Sequence, residues 1–248
     1  MKAKRIIRFA LIGFVSIIVI GILGMLVWVR TGTYPARAVA LSALESTNRV
    51  AITQDKWIVF TPEEETEIGL IFYPGGLVEP IAYAPILRKI AENGVLVVIT
   101  RMPLNLAILN TGAANAVIDE YPHISTWILA GHSLGGASAA LFAESNPSRI
   151  DAIVFWDSYP PDSADLSDNA IPALSIFGTT DGIPNTDNFD DKRHLLPANT
   201  LFVGIEGASH AQFGDYGPQK GDVAPSISLA EQHEQVAEIM LDFIMQNQ

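Results

Sequence analysis

The 248-residue chain contains no cysteine. That excludes disulfides, thiolate metal sites and a cysteine nucleophile, and it suits a protein working outside a reducing cytosol. Acidic residues are missing from the first 30 positions, where Lys2, Lys4, Arg5, Arg8 and Arg30 carry all the charge. Beyond residue 30 it is basic residues that are scarce: ten stand against 27 acidic ones, a net of −17. Such a domain repels phosphate backbones and anionic lipid surfaces, so nucleic acid is not expected as a partner. No internal repeat and no low-complexity tract is present, and Asp215 and Asp222 do not make a metal motif; neither metal nor cofactor is expected.

What the chain does have begins with an uncharged run, Phe9–Val29, bounded by four basic residues before it and by Trp28 and Arg30 at its far end. At about 1.5 Å per residue it is long enough, as a helix, to span a hydrocarbon core of about 30 Å. The excess of positive charge on the N-terminal side predicts a single-pass anchor with a cytoplasmic N-terminus and an extracytoplasmic domain. The competing reading is a cleaved signal peptide, whose apolar region is usually shorter. The expected organisation is an anchor over residues 1–30, a linker over 31–48 that runs into a short helix, and one globular domain over 49–248. A hydrophobic fraction of 49 % excludes a disordered chain.

Strand-like and helix-like stretches then alternate. Strands are expected at Trp57–Phe60, Ile68–Tyr73, Val95–Thr100, Thr126–Ala130, Ile150–Trp156, Ala173–Phe177 and Thr200–Ile205. Helices are expected at Ala82–Asn93, Leu104–Glu120, Ala137–Glu144 and Ser228–Gln246. The acidic stretch Pro62–Glu67 reads as a solvated hairpin or loop. The alternation argues an α/β fold, a mostly parallel sheet with helices on both faces and with functional loops at the strands' C-terminal ends.

One stretch carries chemistry. Gly131-His132-Ser133-Leu134-Gly135 fits Gly-x-Ser-x-Gly between an apolar strand and an Ala-rich helix. A serine raised on so tight a turn needs glycine two residues to either side. The turn aims the hydroxyl outward and sets the Leu134 N–H, at a helix start, beside a forming oxyanion.

In these residues the chain resembles the α/β-hydrolase superfamily. The run Phe72-Tyr73-Pro74-Gly75-Gly76-Leu77-Val78, the Gly-His-Ser-Leu-Gly-Gly elbow and the stretch from His210 to Gly217 look like its compact "α/β hydrolase fold-5" group, similar to dienelactone hydrolases. The serine departs from true dienelactone hydrolases, whose nucleophile is cysteine, so a lactone substrate is not implied. The resemblance covers about residues 57–246 and implies the α/β-hydrolase fold. It also implies Ser133 as nucleophile, His210 as base and Asp181 as the acid that orients it, in the family's chain order. Asp157, at the end of the preceding strand, is the rival acid. The second oxyanion amide is expected from Leu77 or Gly76. The expected function is serine hydrolysis of an ester or related acyl bond in a small-molecule substrate, through an acyl-enzyme. The alternative is a hydrolase-fold protein that only binds. The loop Ala211–Pro225 is expected to flank the pocket, with Phe213 and Tyr216 as walls, and Asp157–Ile171 is too short for a helical cap.

Overall fold

A computed structural model describes residues 2–180, 182, 183 and 191–247. Eight strands among them form one sheet: β1 (Val50–Thr53), β2 (Ile58–Pro62), β3 (Ile68–Tyr73), β4 (Leu96–Ile99), β5 (Thr126–His132), β6 (Ala152–Trp156), β7 (Ala173–Gly178) and β8 (Leu201–Ile205). Their spatial order is β1-β2-β4-β3-β5-β6-β7-β8. The pairings of β1 with β2 and of β2 with β4 are antiparallel, and all the others are parallel.

The central strands are continuous apolar runs because both faces of the sheet are covered. Alternate side chains go to opposite cores. Leu70 and Phe72 of β3, Val97 and Ile99 of β4, Ile128 and Ala130 of β5, and Val154 and Trp156 of β6 enter one core. That core is closed by α3 (Ala84–Ala91) and by the last helix, labelled α6 (Leu229–Gln246). Ile71 and Tyr73, Leu96 and Val98, Leu129, and Ile153 and Phe155 enter the other, closed by α4 (Ala113–Glu120) and α5 (Leu134–Ser145). Ser228 opens α6 with a capping box: its side chain accepts from the Glu231 N–H while the Glu231 carboxylate accepts from the Ser228 N–H.

The chain divides into two compact units, Met1–Thr33 and Tyr34–Gln248. The first is the helix α1 (Lys2–Gly32), whose stretch Leu11–Gly32 has mean hydropathy 2.7. It is long and apolar enough to cross a membrane or to act as a signal sequence. The second unit starts earlier than the expected domain boundary at residue 49. Within residues 31–48 lies the expected short helix, α2 (Ala38–Ser42), and Ala40 and Ala43 of this segment are buried.

The predicted strands appear where the apolar runs lie, and β3 has the expected bounds. The strand β1 has no counterpart in the sequence reading; only four residues long, it alternates in burial and lies at the sheet's edge. The helix expected over Leu104–Glu120 is broken. It consists of two short 3₁₀ turns, Pro103–Asn105 and Ala107–Asn110, and then α4. Leu104 and Asn105 adopt positive φ, 55° and 54°, which a helix cannot contain.

On α6, His233 is 3 % exposed. Burial holds its pKa at about 4, below the usual 6.5, against the raising influence of Asp215. The unfolded chain therefore binds this proton more tightly than the folded one, and acid favours unfolding. The contribution is fully present above about pH 6.5 and is lost as pH falls towards 4. Urea denaturation of the full chain in detergent should show stability declining through this range. His233→Gln should flatten the decline.

Candidate active site

Three glycines make the elbow possible. A Cβ on Gly131 would stand 2.5 Å from the Gly135 carbonyl carbon, one on Gly135 2.0 Å from the Tyr73 carbonyl oxygen, and one on Gly136 2.5 Å from Ser158 Oγ. With those clearances the chain turns from β5 into α5 within one residue. Ser133 carries the turn at φ 52°, ψ −123°. A non-glycine residue rarely occupies this region, and its strain persists only where packing over-determines it. Ser158 donates from Oγ to the Ser133 carbonyl at 2.6 Å, and the Ser133 N–H donates to the Trp156 carbonyl at 3.1 Å.

Ser133 and Leu134 open into a cavity of about 380 Å³ with Ala137, Asp157, Ser158 and Tyr159. Asp157 follows β6 at φ 46° and is 2 % exposed; its Oδ2 lies 3.4 Å from Nδ1 of His210, which is fully buried. His210 begins a 3₁₀ turn, His210–Phe213, after β8. Asp222 holds the start of that turn, accepting from the His210 N–H at 3.4 Å and the Ala211 N–H at 2.8 Å. Asp157 thus both shares the cavity of Ser133 and lies beside His210. Asp181, the acid expected from chain order, lies outside the described residues.

His132 is packed beneath the elbow, its ring centroid 4.4 Å from that of His210. Its Nδ1 lies 2.8 Å from the Tyr83 hydroxyl, which accepts from the Gly75 N–H at 3.0 Å. The one hydroxyl thus bridges the Gly75 N–H and His132 Nδ1. Burial, and secondarily the charge of His210, hold the His132 pKa well below the usual value, while the His210 main chain pulls it the other way. The Tyr83 phenol is pushed far up by burial, against the opposing Gly75 N–H. Both groups stay neutral, and together they pin the loop after β3.

That loop carries the expected oxyanion amides. The Leu77 N–H is committed: it donates to the Asn105 carbonyl at 2.8 Å, with Leu77 at φ 56°. Gly76 lies against the elbow, since a Cβ there would stand 3.0 Å from Leu134 Cδ2. Phe213 and Tyr216 do not line the cavity that Ser133 opens into. Both are buried in the first core, where Phe213 stacks on His132 at 5.7 Å and 20° and Tyr216 packs against Tyr34 at 5.7 Å. No helix forms in the described connection from Asp157 to Ile171. The roles of Tyr83, Ser158 and Asp222 escaped the sequence reading. Only Ser158, directly after Asp157 at a strand end, had a local signal.

The Tyr83 bridge can be tested through the reactivity of Ser133. Tyr83→Phe leaves the Gly75 N–H and His132 Nδ1 without their shared partner and should slow fluorophosphonate labelling of Ser133 about ten-fold. Gly75→Ala should be worse, because its Cβ would meet the Tyr83 hydroxyl at 2.7 Å.

A family model described as "Alpha/beta hydrolase family" matches residues 69–234. No curated protein matches the chain. Among solved structures, Est1E from Butyrivibrio proteoclasticus is similar over 79 % of this chain and 99 % of that one, at 17 % identity and TM-score 0.56. The α/β hydrolase enzyme MGS-MChE2, from the metagenome of sediments of the Mar Chica lagoon in Morocco, is similar over 79 % and 98 %, at 17 % identity and TM-score 0.60. A structure of the metagenome-derived lipolytic enzymes LipS and LipT is similar over 73 % and 94 %, at 16 % identity and TM-score 0.56. These likenesses concern the fold. The family match spans well over half of the chain, from β3 through the elbow to the start of α6, and with it the chain belongs to the α/β-hydrolase family.

Proposed function

We propose that the protein is a serine hydrolase of carboxylic esters or related acyl compounds, held at a membrane by α1 with its domain on the extracytoplasmic side. The observation that carries the reading is the strained Ser133, which shares a cavity with Asp157, whose carboxylate lies 3.4 Å from His210 Nδ1. Ser133 Oγ attacks the acyl carbon while His210 Nε2 takes its proton and then returns it to the leaving alkoxide; water completes the cycle through the same base. A carboxylate on Nδ1 fixes the imidazole and stabilises its charged form. Asp157 is the carboxylate seen in that position, and Asp181 is the one implied by the family resemblance. The Leu134 amide, with that of Gly76, holds the oxyanion. Gly76 is preferred to Leu77 because the Leu77 amide already serves Asn105.

A cavity of about 380 Å³ suits a small acyl or alkyl group. Lipolytic activity is named for one similar structure, and ferulic acid is bound to Est1E in another. The reading carries both leads as an ester substrate of modest size. No cofactor enters the reaction.

The test is hydrolysis of p-nitrophenyl esters of increasing chain length by the full chain in detergent, with fluorophosphonate labelling alongside. Ser133→Ala and His210→Ala should each lower kcat by several orders of magnitude. Of Asp157→Asn and Asp181→Asn, the variant with the larger loss identifies the acid. A wild type that is neither active nor labelled would leave a binding protein as the better description.

A further inference from the structure

The segment that follows α1 is bonded to the catalytic loops. Tyr34 forms a parallel bridge with Val78: its N–H donates to the Leu77 carbonyl at 2.7 Å, and its carbonyl accepts from the Glu79 N–H at 3.0 Å. Two residues on, the Ala36 N–H donates to Glu79 Oε2 at 2.8 Å. The segment then crosses to the loop after His210. There the Arg37 N–H donates to the Asp215 carbonyl at 2.8 Å and the Ala40 N–H to Asp215 Oδ2 at 2.9 Å. The Tyr34 ring packs on Tyr216, and its hydroxyl accepts from the Lys220 N–H at 3.3 Å.

These two loops are far apart in sequence and leave the sheet at different strands, β3 and β8. One carries the Gly76 amide and the other the base. We propose that residues 34–40 are a positioning element of the active site, a strap that sets the oxyanion loop against the base loop. The proposal rests on the serine-hydrolase reading and adds to it a segment that read as a linker without chemistry. Glu79 and Asp215 are its two side-chain anchors, each accepting from the strap's main chain, and neither lines the cavity at Ser133. Because Leu77 and Glu79 flank the bridge within three residues of Gly76, freeing the strap lets that amide drift. Displacements of about 1 Å at a reacting centre cost up to about a hundred-fold in rate.

The experiment uses the full chain in detergent, with active sites counted by fluorophosphonate titration so that unfolded protein does not register as slow enzyme. Glu79→Ala should lower kcat per titrated site, and the rate constant for phosphonylation of Ser133, about ten-fold or more, with KM changed less than about two-fold. Glu79→Gln keeps an acceptor for the Ala36 N–H and should recover most of the rate. Ala36→Pro removes the donor of the same bond, so its loss should not add to that of Glu79→Ala. Asp215→Ala and Asp215→Asn should repeat the contrast at the other anchor. If Glu79→Ala and Asp215→Ala reduce only the number of titratable sites while each remaining site works at the wild-type rate, the strap is merely structural and the proposal is overturned. If Ser133 is not phosphonylated in wild type, or if Ser133→Ala keeps its activity, the serine-hydrolase reading fails first and takes the strap's role with it.

Discussion

The approach of Gly135 to the Tyr73 carbonyl, where a Cβ would stand 2.0 Å away, decides how closely α5 lies against β3. From that contact follows the sharpness of the turn at Ser133, because a helix held further off would let the chain leave β5 gradually. A gradual turn would need no positive φ, and the serine would lie in the wall of the site instead of at its corner. The same closeness brings Leu134, the first residue of α5, to the loop after β3, where Gly76 has just the clearance for its side chain. The elbow is therefore a packing result before it is a catalytic one, and the strain at Ser133 is sustained by the contact of a helix with a sheet.

A second layer of order is polar and neutral. Tyr83, His132 and Gly75 form a chain of hydrogen bonds under the serine, closed off from water and uncharged. Sulfur takes part in the same core, where the Trp156 N–H meets Met240 Sδ at 3.3 Å. Buried networks of this kind specify one arrangement where apolar packing alone would tolerate several. The carboxylates are used differently. Asp222 and Asp215 spend themselves on main-chain amides of the base loop and of the strap, fixing backbone rather than meeting cations.

The sheet was legible because strands covered on both faces are uninterrupted apolar runs, and the six residues of β3 read as a strand from end to end. The elbow was legible because close contact leaves glycine as its trace. Features made by tertiary contact left no such trace. Leu104 and Asn105 hold positive φ without being glycine, so a helix was expected across them. The strap's bonds run from main-chain amides to carboxylates 43 and 175 positions away, and nothing in residues 34–40 advertises them. Tyr83 has no local signature either, since its partners are a glycine and a histidine in other elements. The sequence reading ranked Asp181 above Asp157 as the neighbour of His210, although both follow strands of the sheet's parallel half and local sequence does not separate them.

The contact between Arg37 and Asp215 also bears on the order of events during synthesis. A residue close to the start of the chain waits for one that is made nearly 180 residues later. Until then the nascent polypeptide lacks the strap's second anchorage, and for most of that time it also lacks His210, the proposed base. Translation proceeds at about 5–20 residues per second, so that interval lasts on the order of ten seconds or more. Between the synthesis of Ser133 and that of His210, within this interval, the growing chain holds the proposed nucleophile without the proposed base.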